Sequence, residues 1–537
     1  MRNSKKKLLV IFIMVFAVLF TSCGDKKVSI NDKKVEIKEQ NKIELSMNPI
    51  KTLNPLVSLD KDVYYLSKLI YEGLFTFDKD YTPVKSLARN YAFDRSTGAI
   101  NVDLTKRIKW HDGEDFTSND VVFTINAIKA IGVAGPYYEK VNKIYSVKKR
   151  GTYGVRIDFK DKNDMSLDLL SFPILPAHKF NGAYSVSSQR EGFKPVGTGL
   201  YKYKSYSYAK SLKLVPNENY RNEKARSSIN VNVVSSDKHL VKLVESSNIS
   251  ALIDSSLGRE TKIEKKGVKI KDFISNEMDF IGFNFKKEEM QKKSLRTAIA
   301  YATDSKSIIE ESYLNSGAIS DSLYPPSYLG SKKRSQTYKF SLEKAAKVLK
   351  KAGYEDIDQD GVIENLDKNN VVINILVNSD RPVRVKVAED IKANLEDLDM
   401  QVNVIAVPEK AYLSSLKGGK YDIFVGGMEF DEGFDLRSLL DKEAINNYTG
   451  YVNAELSENL TKLKSGDTPE NNIETVNRIK EILDNDLPYY CVCYRTIGFI
   501  KAPTLEGEID PTFNNIYNGI NNWYSRLEKT IVEEDNK

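Results

Sequence analysis

The sequence has few of the residues from which metal and redox sites are commonly built. Only three cysteines and three histidines occur in 537 residues. His111, His178 and His239 lie far apart, and none is part of an HExxH motif. Cys491 and Cys493 alternate within a strand-like run, so we expect both side chains to be buried on one face of a strand. This usage supports neither a disulfide framework nor a cysteine- or histidine-based metal site.

Long apolar segments are equally scarce. The one long run, Leu8 to Phe20, follows a positively charged start that contains Arg2 and three lysines. It is shorter than the roughly twenty residues that a membrane-spanning helix needs, and its layout is that of a signal peptide. No second run approaches transmembrane length. The sequence therefore predicts an exported chain.

The chain also lacks a strong excess of one charge. Its net charge is +6 at pH 7, and four of the positive charges lie in residues 1–22, which contain no acidic residue, so the remainder is near +2. A nucleic-acid-binding surface is therefore not indicated. Removal of a signal peptide would leave about 510 residues, a length suited to two or three lobes. Hydrophobic residues make up 41% of the chain and aromatic residues 10%, which is enough for a packed globular protein.

A lone cysteine follows the apolar run. Thr21, Ser22 and Cys23 resemble a bacterial lipobox, in which the cysteine sulfur receives diacylglycerol and the chain is cut just before it. Phe20 departs from the pattern, which usually carries Leu at that position. Because several acyl chains hold a protein durably to a membrane, we expect Cys23 to keep the protein at the outer face of the cell membrane. A chance cysteine in an ordinary secretory signal, or a retained N-terminal anchor, is the alternative.

The remaining sequence predicts alternating strands and helices, a mixed α/β class. Residues 23–42 are polar and lack apolar periodicity, which predicts a flexible tether. The expected elements are helices over 120–129 (capped by Ser118 or Asn119), 342–352 (capped by Ser341) and 382–397, with strands over 371–377 and 402–407. The last helix and its two flanking strands form a strand-helix-strand unit.

Several segments carry a resemblance when they are taken together. The clearest is the run from Trp110 to Thr124, WHDGEDFTSNDVVFT. Others lie before and after it, at 54–56, 70–74, 173–178, 195–201, 216–220, 283–304 and 343–354. This order is similar to that of the family 5 solute-binding proteins, which serve ATP-driven importers of oligopeptides, dipeptides and nickel. Arg221 is a departure, because the family usually has Trp there.

The resemblance implies a two-lobed α/β fold of the periplasmic-binding-protein type, with a hinge between the lobes and an additional third domain. The implied parts are a lipoprotein signal peptide (1–22), the tether (23–42), lobe I (43–64, 185–268 and 490–530), the additional domain (65–184) and lobe II (269–489). Closure of the lobes would capture a peptide for the permease subunits of an ABC importer. We expect a monomer that requires no cofactor and has no catalytic residue.

The resemblance also implies a site for the two ends of a peptide. In dipeptide-binding relatives an Arg-Pro pair before the long helix clamps the carboxylate, and Arg381-Pro382 matches it. An Asp shortly after a Gly-Trp pair holds the ammonium, and Asp431 matches it, with Met428 in place of the usual Trp. Both charges need a partner because an unpaired buried charge is very costly. The alternatives are a solvated helix start for Arg381 and a loop turn for Asp431.

Further acidic residues surround Asp431, namely Glu429, Glu432 and Asp435. They form either a solvated loop or part of the pocket lining. In the second case Glu429 is expected to contact the ligand, and the pocket would favour cationic ligands.

A second acidic segment fits the start of a calcium loop. Asp356, Asp358 and Asp360 supply carboxylates at positions one, three and five, and Gly361 occupies the tight turn. Position twelve is Asp367 rather than a bidentate Glu, which weakens calcium binding. The alternative is a polar surface loop, and any calcium here would be structural.

Three other functions stay open. Within the same fold, the ligand could be a nickel chelate or another non-peptide solute, although histidine is scarce. Capture of a peptide pheromone for signalling is the second. The third is an exported serine hydrolase, since Ser207 and Lys210 match Ser-x-x-Lys. No Ser-Asp-Asn, Lys-Thr-Gly or Gly-x-Ser-x-Gly motif accompanies that pair, which argues against the enzyme.

Overall fold

The computed structural model describes residues 27–30, 33–234, 239–263, 267–466 and 468–531, so Cys23 and the expected signal peptide lie outside it. Within these ranges no helix has the length and apolar character needed to cross a membrane. The helices are α1 (Lys61–Ile70), α2 (Ser118–Ile131), α3 (Tyr138–Asn142), α4 (Leu240–Glu245), α5 (Glu288–Gln291), α6 (Lys293–Ala302), α7 (Ser305–Glu311), α8 (Leu342–Lys351), α9 (Pro382–Glu396), α10 (Glu409–Gly418), α11 (Arg437–Leu440), α12 (Ala454–Lys464) and α13 (Pro469–Asp486).

The strands alternate with these helices along the chain. They are β1 (Lys27–Ile30), β2 (Lys33–Gln40), β3 (Lys42–Met47), β4 (Phe75–Phe77), β5 (Pro83–Lys85), β6 (Ala88–Asp94), β7 (Ala99–Leu104), β8 (Ile144–Lys149), β9 (Gly154–Phe159), β10 (Tyr201–Ser207), β11 (Ser211–Pro216), β12 (Ser228–Val233), β13 (Ala251–Asp254), β14 (Lys269–Phe283), β15 (Gly317–Ala318), β16 (Val372–Asn378), β17 (Gln401–Val407), β18 (Ile423–Glu429), β19 (Tyr489–Lys501), β20 (Leu505–Glu506) and β21 (Tyr524–Ile531).

Lobe I is built on the sheet β10-β11-β12-β3, in which β3 runs parallel to β12. A second sheet, β1-β2-β21-β20, joins the start of the described chain to its end. In it Gln40 pairs with Ser525 and Lys34 with Ile531. This pairing corrects the predicted tether over residues 33–40. Val35 and Ile37 alternate with charged residues there, which is the period of a strand.

The additional domain packs α2 against the sheet β6-β7-β9-β8 and shares one hydrophobic core with lobe I. The predicted helix cap at Ser118 or Asn119 is wrong by one or two residues. Thr117 caps α2, because its side chain accepts from the Asn119 amide while the Asp120 carboxylate accepts from the Thr117 amide. This reciprocal capping box fixes the start of the helix.

The largest sheet, β13-β19-β14-β18-β16-β17 with β15 added against β19, forms the centre of lobe II, while β13 at its edge belongs to lobe I. The predicted strand-helix-strand unit is confirmed as β16, α9 and β17, and its two strands are parallel. The predicted cap of α8 is also confirmed, since the Ser341 side chain accepts from the Lys344 amide. Separate hydrophobic clusters cover the two faces of the sheet.

Two antiparallel strands, β14 and β19, run from one lobe into the other. Phe273 and Phe499 pack in the core of lobe I, whereas Ile281 and Val492 pack in lobe II. The chain therefore changes lobes inside these strands rather than at residues 269 and 490. Their pairing is irregular between the Ile274–Thr496 and Met278–Tyr494 pairs, so the strands have a bulge where the lobes meet.

Cys491 and Cys493 are both buried, but the prediction that they share one face is wrong. Cys491 packs in the cluster on one side of the lobe II sheet and Cys493 in the cluster on the other. The cause is a bulge, because neighbouring Asp279 and Phe280 pair with Cys493 and Cys491. Burial raises the pKa of the Cys491 thiol well above its usual value.

Candidate ligand-binding cleft

Three adjoining cavities form a cleft along the meeting of the lobes. The lobe II cavity has a volume of about 550 Å³ and is bounded by β18, α9 and α10. The lobe I cavity (about 280 Å³) shares Glu277 with it. The interlobe pocket (about 270 Å³) shares Glu429 with the lobe II cavity, and Lys61 and Tyr65 with the lobe I cavity. Because these residues are shared, the three cavities are direct neighbours.

Arg381 lies directly before α9 and lines the lobe II cavity. Pro382 occupies the first turn of the helix, where its fixed φ favours a helix start. Arg381 is exposed, and among the described residues no carboxylate lies within 4 Å of its guanidinium. This cation is therefore available to a ligand, which is what a carboxylate clamp requires.

Asp431 follows β18 and lines the interlobe pocket. Its Oδ1 accepts a hydrogen bond of 3.0 Å from the Gly433 amide, which holds the loop in a tight turn. The side chain is exposed, and no described lysine or arginine lies within 4 Å of it. Asp431 thus forms a loop turn, as one alternative predicts, and its carboxylate forms no ion pair among the described residues, so ammonium binding stays a prediction.

The other two predicted ligand residues line the same cavities. Met428 and Glu429 line the same lobe II cavity as Arg381. Glu429 also lines the interlobe pocket, where it faces Lys61 at 3.7 Å across the lobe boundary. The four predicted residues therefore line two adjoining cavities, and their contact with a ligand stays a prediction.

A buried carboxylate that the sequence did not reveal lies behind the lobe II cavity. Arg384 and Arg495 both line the cavity and both contact Asp279, at 2.7 and 2.9 Å. The Tyr313 hydroxyl donates to the same carboxylate at 2.7 Å. Arg384 lies so close to Gly427 that a Cβ there would come within 1.9 Å of its Nη2. Arg384 is three residues after Arg381, so its helical spacing was the one available signal.

Glu432 is buried rather than solvated and joins lobe II to the additional domain. It forms ion pairs with Lys68, at 3.2 Å, and with Lys140. The Tyr64 and Ser171 hydroxyls also donate to it. Burial alone would raise the pKa of Glu432, but Lys140 and Lys68 lower it well below its usual range. The carboxylate is thus ionised and fully partnered, and it is not available to a ligand.

Asp435 is likewise engaged within the protein. It pairs with Arg437 at 2.7 Å, and Arg437 reaches Asp164 of the additional domain at 2.8 Å. Burial opposes ionisation of Asp435, yet Lys464 and Arg437 lower its pKa to about 2. The alternative of a solvated acidic loop is therefore wrong for Glu432 and Asp435, whereas Glu429 and Asp431 are exposed where they line the cleft.

The predicted calcium loop gathers its first three carboxylates. Those of Asp356, Asp358 and Asp360 lie within 4.8 Å of one another and of a fourth, Glu364. Asp367, the predicted fourth ligand, is not in this group, and its amide donates to Asn365 Oδ1 in a separate turn. Position nine of the loop thus replaces position twelve in the described cluster.

Several of the segments that carry the family resemblance form a scaffold outside the cleft. Gly197 donates to His111 Nδ1 at 3.1 Å, and His111 Nε2 lies 3.0 Å from the Gly199 carbonyl. Burial lowers the pKa of His111 to about 4, so the ring is neutral. Arg221, the departure from the family pattern, makes a bidentate pair of 2.7 Å bonds with Glu72. These contacts join lobe I to the additional domain.

Comparison with known proteins agrees with this architecture. Residues 82–441 match the model described as bacterial extracellular solute-binding proteins, family 5 middle. The chain belongs to this family. The oligopeptide-binding protein AppA of Bacillus subtilis (strain 168) is 24% identical, over 98% of this chain and 99% of AppA.

Solved structures of family members share the two-lobed fold. AppA from Bacillus subtilis in complex with a nonapeptide aligns over 91% of this chain and all of AppA, with a TM-score of 0.56 and 22% identity. The unliganded open form of the murein tripeptide-binding protein MppA gives 0.78 at 16% identity, over 94% and 99%. NikZ from Campylobacter jejuni in complex with Ni(L-His) gives 0.59 at 22%, over 90% and 99%. The predicted family and fold class are thus confirmed.

Proposed function

We propose that this solute-binding protein captures short peptides between its lobes and delivers them to the permease subunits of an ABC importer. The observation that carries the proposal is a cation and a carboxylate, Arg381 and Asp431, that form no ion pair among the described residues and line adjoining cavities. A peptide with free ends supplies the complementary pair of charges. Relatives named for oligopeptide binding support the same ligand class.

Capture follows from the linkage between ligand binding and lobe closure. Arg381 belongs to lobe II, and the interlobe pocket beside Asp431 is walled by both lobes. A ligand that contacts both sides binds the closed arrangement better than the open one, and this difference drives closure. The lobe II cavity of about 550 Å³ has a size typical of small-ligand sites, which favours a peptide of a few residues.

Mass spectrometry after incubation with a mixture of peptides tests this function. We expect the protein to retain intact peptides with free ends. Cleaved products would instead support an enzyme. Retention of a nickel chelate and of no peptide would support the second candidate function, the binding of a nickel chelate. Three arginines in the lobe II cavity, Arg381, Arg384 and Arg495, favour that candidate. Peptide-pheromone sensing would give the same binding without uptake.

We propose further that Cys23 carries a lipid that anchors the protein to the outer face of the membrane. The lipobox-like order of Thr21, Ser22 and Cys23 supports this. Cys23→Ser should release the protein into the medium or leave it unprocessed, since the attachment atom is lost. Ser22→Ala keeps a small residue before the cysteine and should stay anchored. A Cys23→Ser protein of mature size on the membrane would contradict the anchor; cell fractionation and immunoblotting decide.

We also propose that the acidic loop binds structural calcium through Asp356, Asp358, Asp360 and Glu364. Calcium should then raise the melting temperature, because it binds the folded state. Asp358→Ala combined with Asp360→Ala should abolish this rise. Glu364→Gln should reduce it more than Asp367→Asn does, which separates the two candidate fourth ligands. No calcium-dependent rise in the parent protein would leave only a polar surface loop.

A further inference from the structure

The interlobe pocket differs from the lobe II cavity in the character of its lining. Its walls are mostly aromatic and apolar side chains from both lobes: Pro55, Leu59, Tyr64, Tyr65, Phe430 and Phe513. Leu59 is 74% exposed, an unusual position for a large hydrophobic side chain on the wall of a cleft. Burial of apolar surface is favourable, so an apolar group of a ligand would be stabilised against these side chains.

All but one of the charged side chains that line this pocket already pair with another charged group or cap a helix. Lys140 pairs with buried Glu432, and Lys61 lies 3.7 Å from Glu429 at the rim. The Asp60 carboxylate caps the start of α1. Among the lining residues, Asp431 alone presents a carboxylate with neither a cationic partner nor a helix to cap. An anionic ligand side chain that entered the pocket would find both lining lysines, Lys61 and Lys140, already paired with carboxylates, and an unpaired buried charge is costly.

The position of Asp431 determines which part of a peptide meets this pocket. The first side chain of a peptide branches from the same carbon that carries the ammonium. An ammonium paired with Asp431 therefore places the first side chain within a few bond lengths of the pocket. A ligand backbone directed past Glu429, which both cavities share, would then lead toward Arg381 in the lobe II cavity.

We propose that the interlobe pocket receives the side chain of the first residue and thereby selects peptides that begin with an apolar or aromatic residue. This inference rests on the proposed peptide function and specifies its ligand class. A preference at the first residue follows from the apolar walls around Asp431. No comparable preference is expected at the last residue, because the lobe II cavity around Arg381 contains the guanidinium groups of Arg384 and Arg495 and the carboxylate of Glu409.

Calorimetric titration with matched tripeptides tests the selection. Leu-Ala-Ala and Phe-Ala-Ala should bind roughly tenfold or more tightly than Ser-Ala-Ala, because hydrophobic pockets discriminate by about this factor. Asp-Ala-Ala should bind more weakly still. Ala-Ala-Leu and Ala-Ala-Ser should differ by less than the first-residue pair. Equal affinity for all first residues would overturn the selection, and binding by none of the tripeptides would overturn the peptide function with it.

A pair of leucines supplies matched variants. Leu59 and Leu366 are each 74% exposed, so neither substitution should endanger the fold, and only Leu59 lines the pocket. Leu59→Asp should reduce the preference for Leu-Ala-Ala over Ser-Ala-Ala severalfold, whereas Leu366→Asp should leave it unchanged. An unchanged preference in Leu59→Asp, with acetylation of the peptide still weakening binding, would place the first side chain elsewhere and leave the peptide function intact.

Discussion

Asp431→Ala should weaken binding of a tripeptide with a free N-terminus by roughly thirty-fold or more. The carboxylate is expected to pair with the ligand ammonium after closure excludes water. Removing one partner of such a pair costs about 2–5 kcal/mol, and about 1.4 kcal/mol corresponds to a tenfold change in affinity. The same variant should bind the N-acetylated peptide as the parent protein does, because the acetylated peptide carries no ammonium. Calorimetry with both peptide forms measures the difference.

Arg381→Ala provides the counterpart at the other end of the ligand. It should weaken binding of the free carboxylate form by a similar factor and leave the C-terminal amide nearly unaffected. Lys386→Ala, an exposed cation on the same helix, and Glu443→Ala, an exposed carboxylate, are the controls and should change neither affinity. If Arg381→Ala has no effect while Asp431→Ala does, the ligand is a longer peptide whose C-terminus remains in water. Unchanged affinity in both variants would remove the model in which the two peptide ends are paired.

Glu432→Gln should lower the free energy of unfolding by about 3–5 kcal/mol, the cost of breaking a buried ion pair from one side. The substitution leaves Lys68 and Lys140 without their carboxylate in the contact between lobe II and the additional domain. Urea unfolding at pH 7 measures the loss. Glu443→Gln removes an exposed carboxylate beside Lys442 and should stay within about 0.5 kcal/mol of the parent.

The pH dependence of this effect follows from the lowered pKa of Glu432. The folded state binds the proton less readily than the unfolded chain, whose glutamates have a pKa of about 4.3. The stabilisation is therefore complete above that pH and is lost as the pH falls toward the lower folded-state pKa. The gap between parent and Glu432→Gln should be constant from pH 7 to about 5 and narrower at about pH 3.5. A gap that is absent at pH 7 would mean that the ion pairs contribute no net stability.

Elements with a clear local pattern of apolar residues can be predicted from the sequence, whereas elements that depend on distant strands cannot. The unit β16, α9 and β17 was predicted because β-branched runs flank a segment with helical apolar spacing. Residues 33–40 were predicted as tether because their charges hide an alternation that becomes a strand only when β21 lies beside it. The faces of Cys491 and Cys493 were missed for a similar reason, since the bulge depends on register with β14.

The residues of the candidate site likewise divide into those that a local segment reveals and those that only the tertiary fold reveals. Arg381 and Asp431 were found because each lies in a short segment whose neighbours match a family pattern. Asp279 was not found, since its partners Arg384 and Arg495 are 105 and 216 residues away along the chain. Nothing local distinguishes Glu432 from Glu429, yet one is buried between domains and the other faces the cleft. Only the tertiary fold separates a structural carboxylate from one available to a ligand.

Side-by-side titration of the purified protein with Leu-Ala-Ala, its N-acetyl form, its C-terminal amide and a nickel–histidine complex tests peptide capture most directly. We predict that the free tripeptide binds, that each blocked form binds at least roughly tenfold more weakly because one charge pair is lost, and that the nickel complex does not compete. Binding of the nickel complex with no binding of any peptide form would contradict the proposed function.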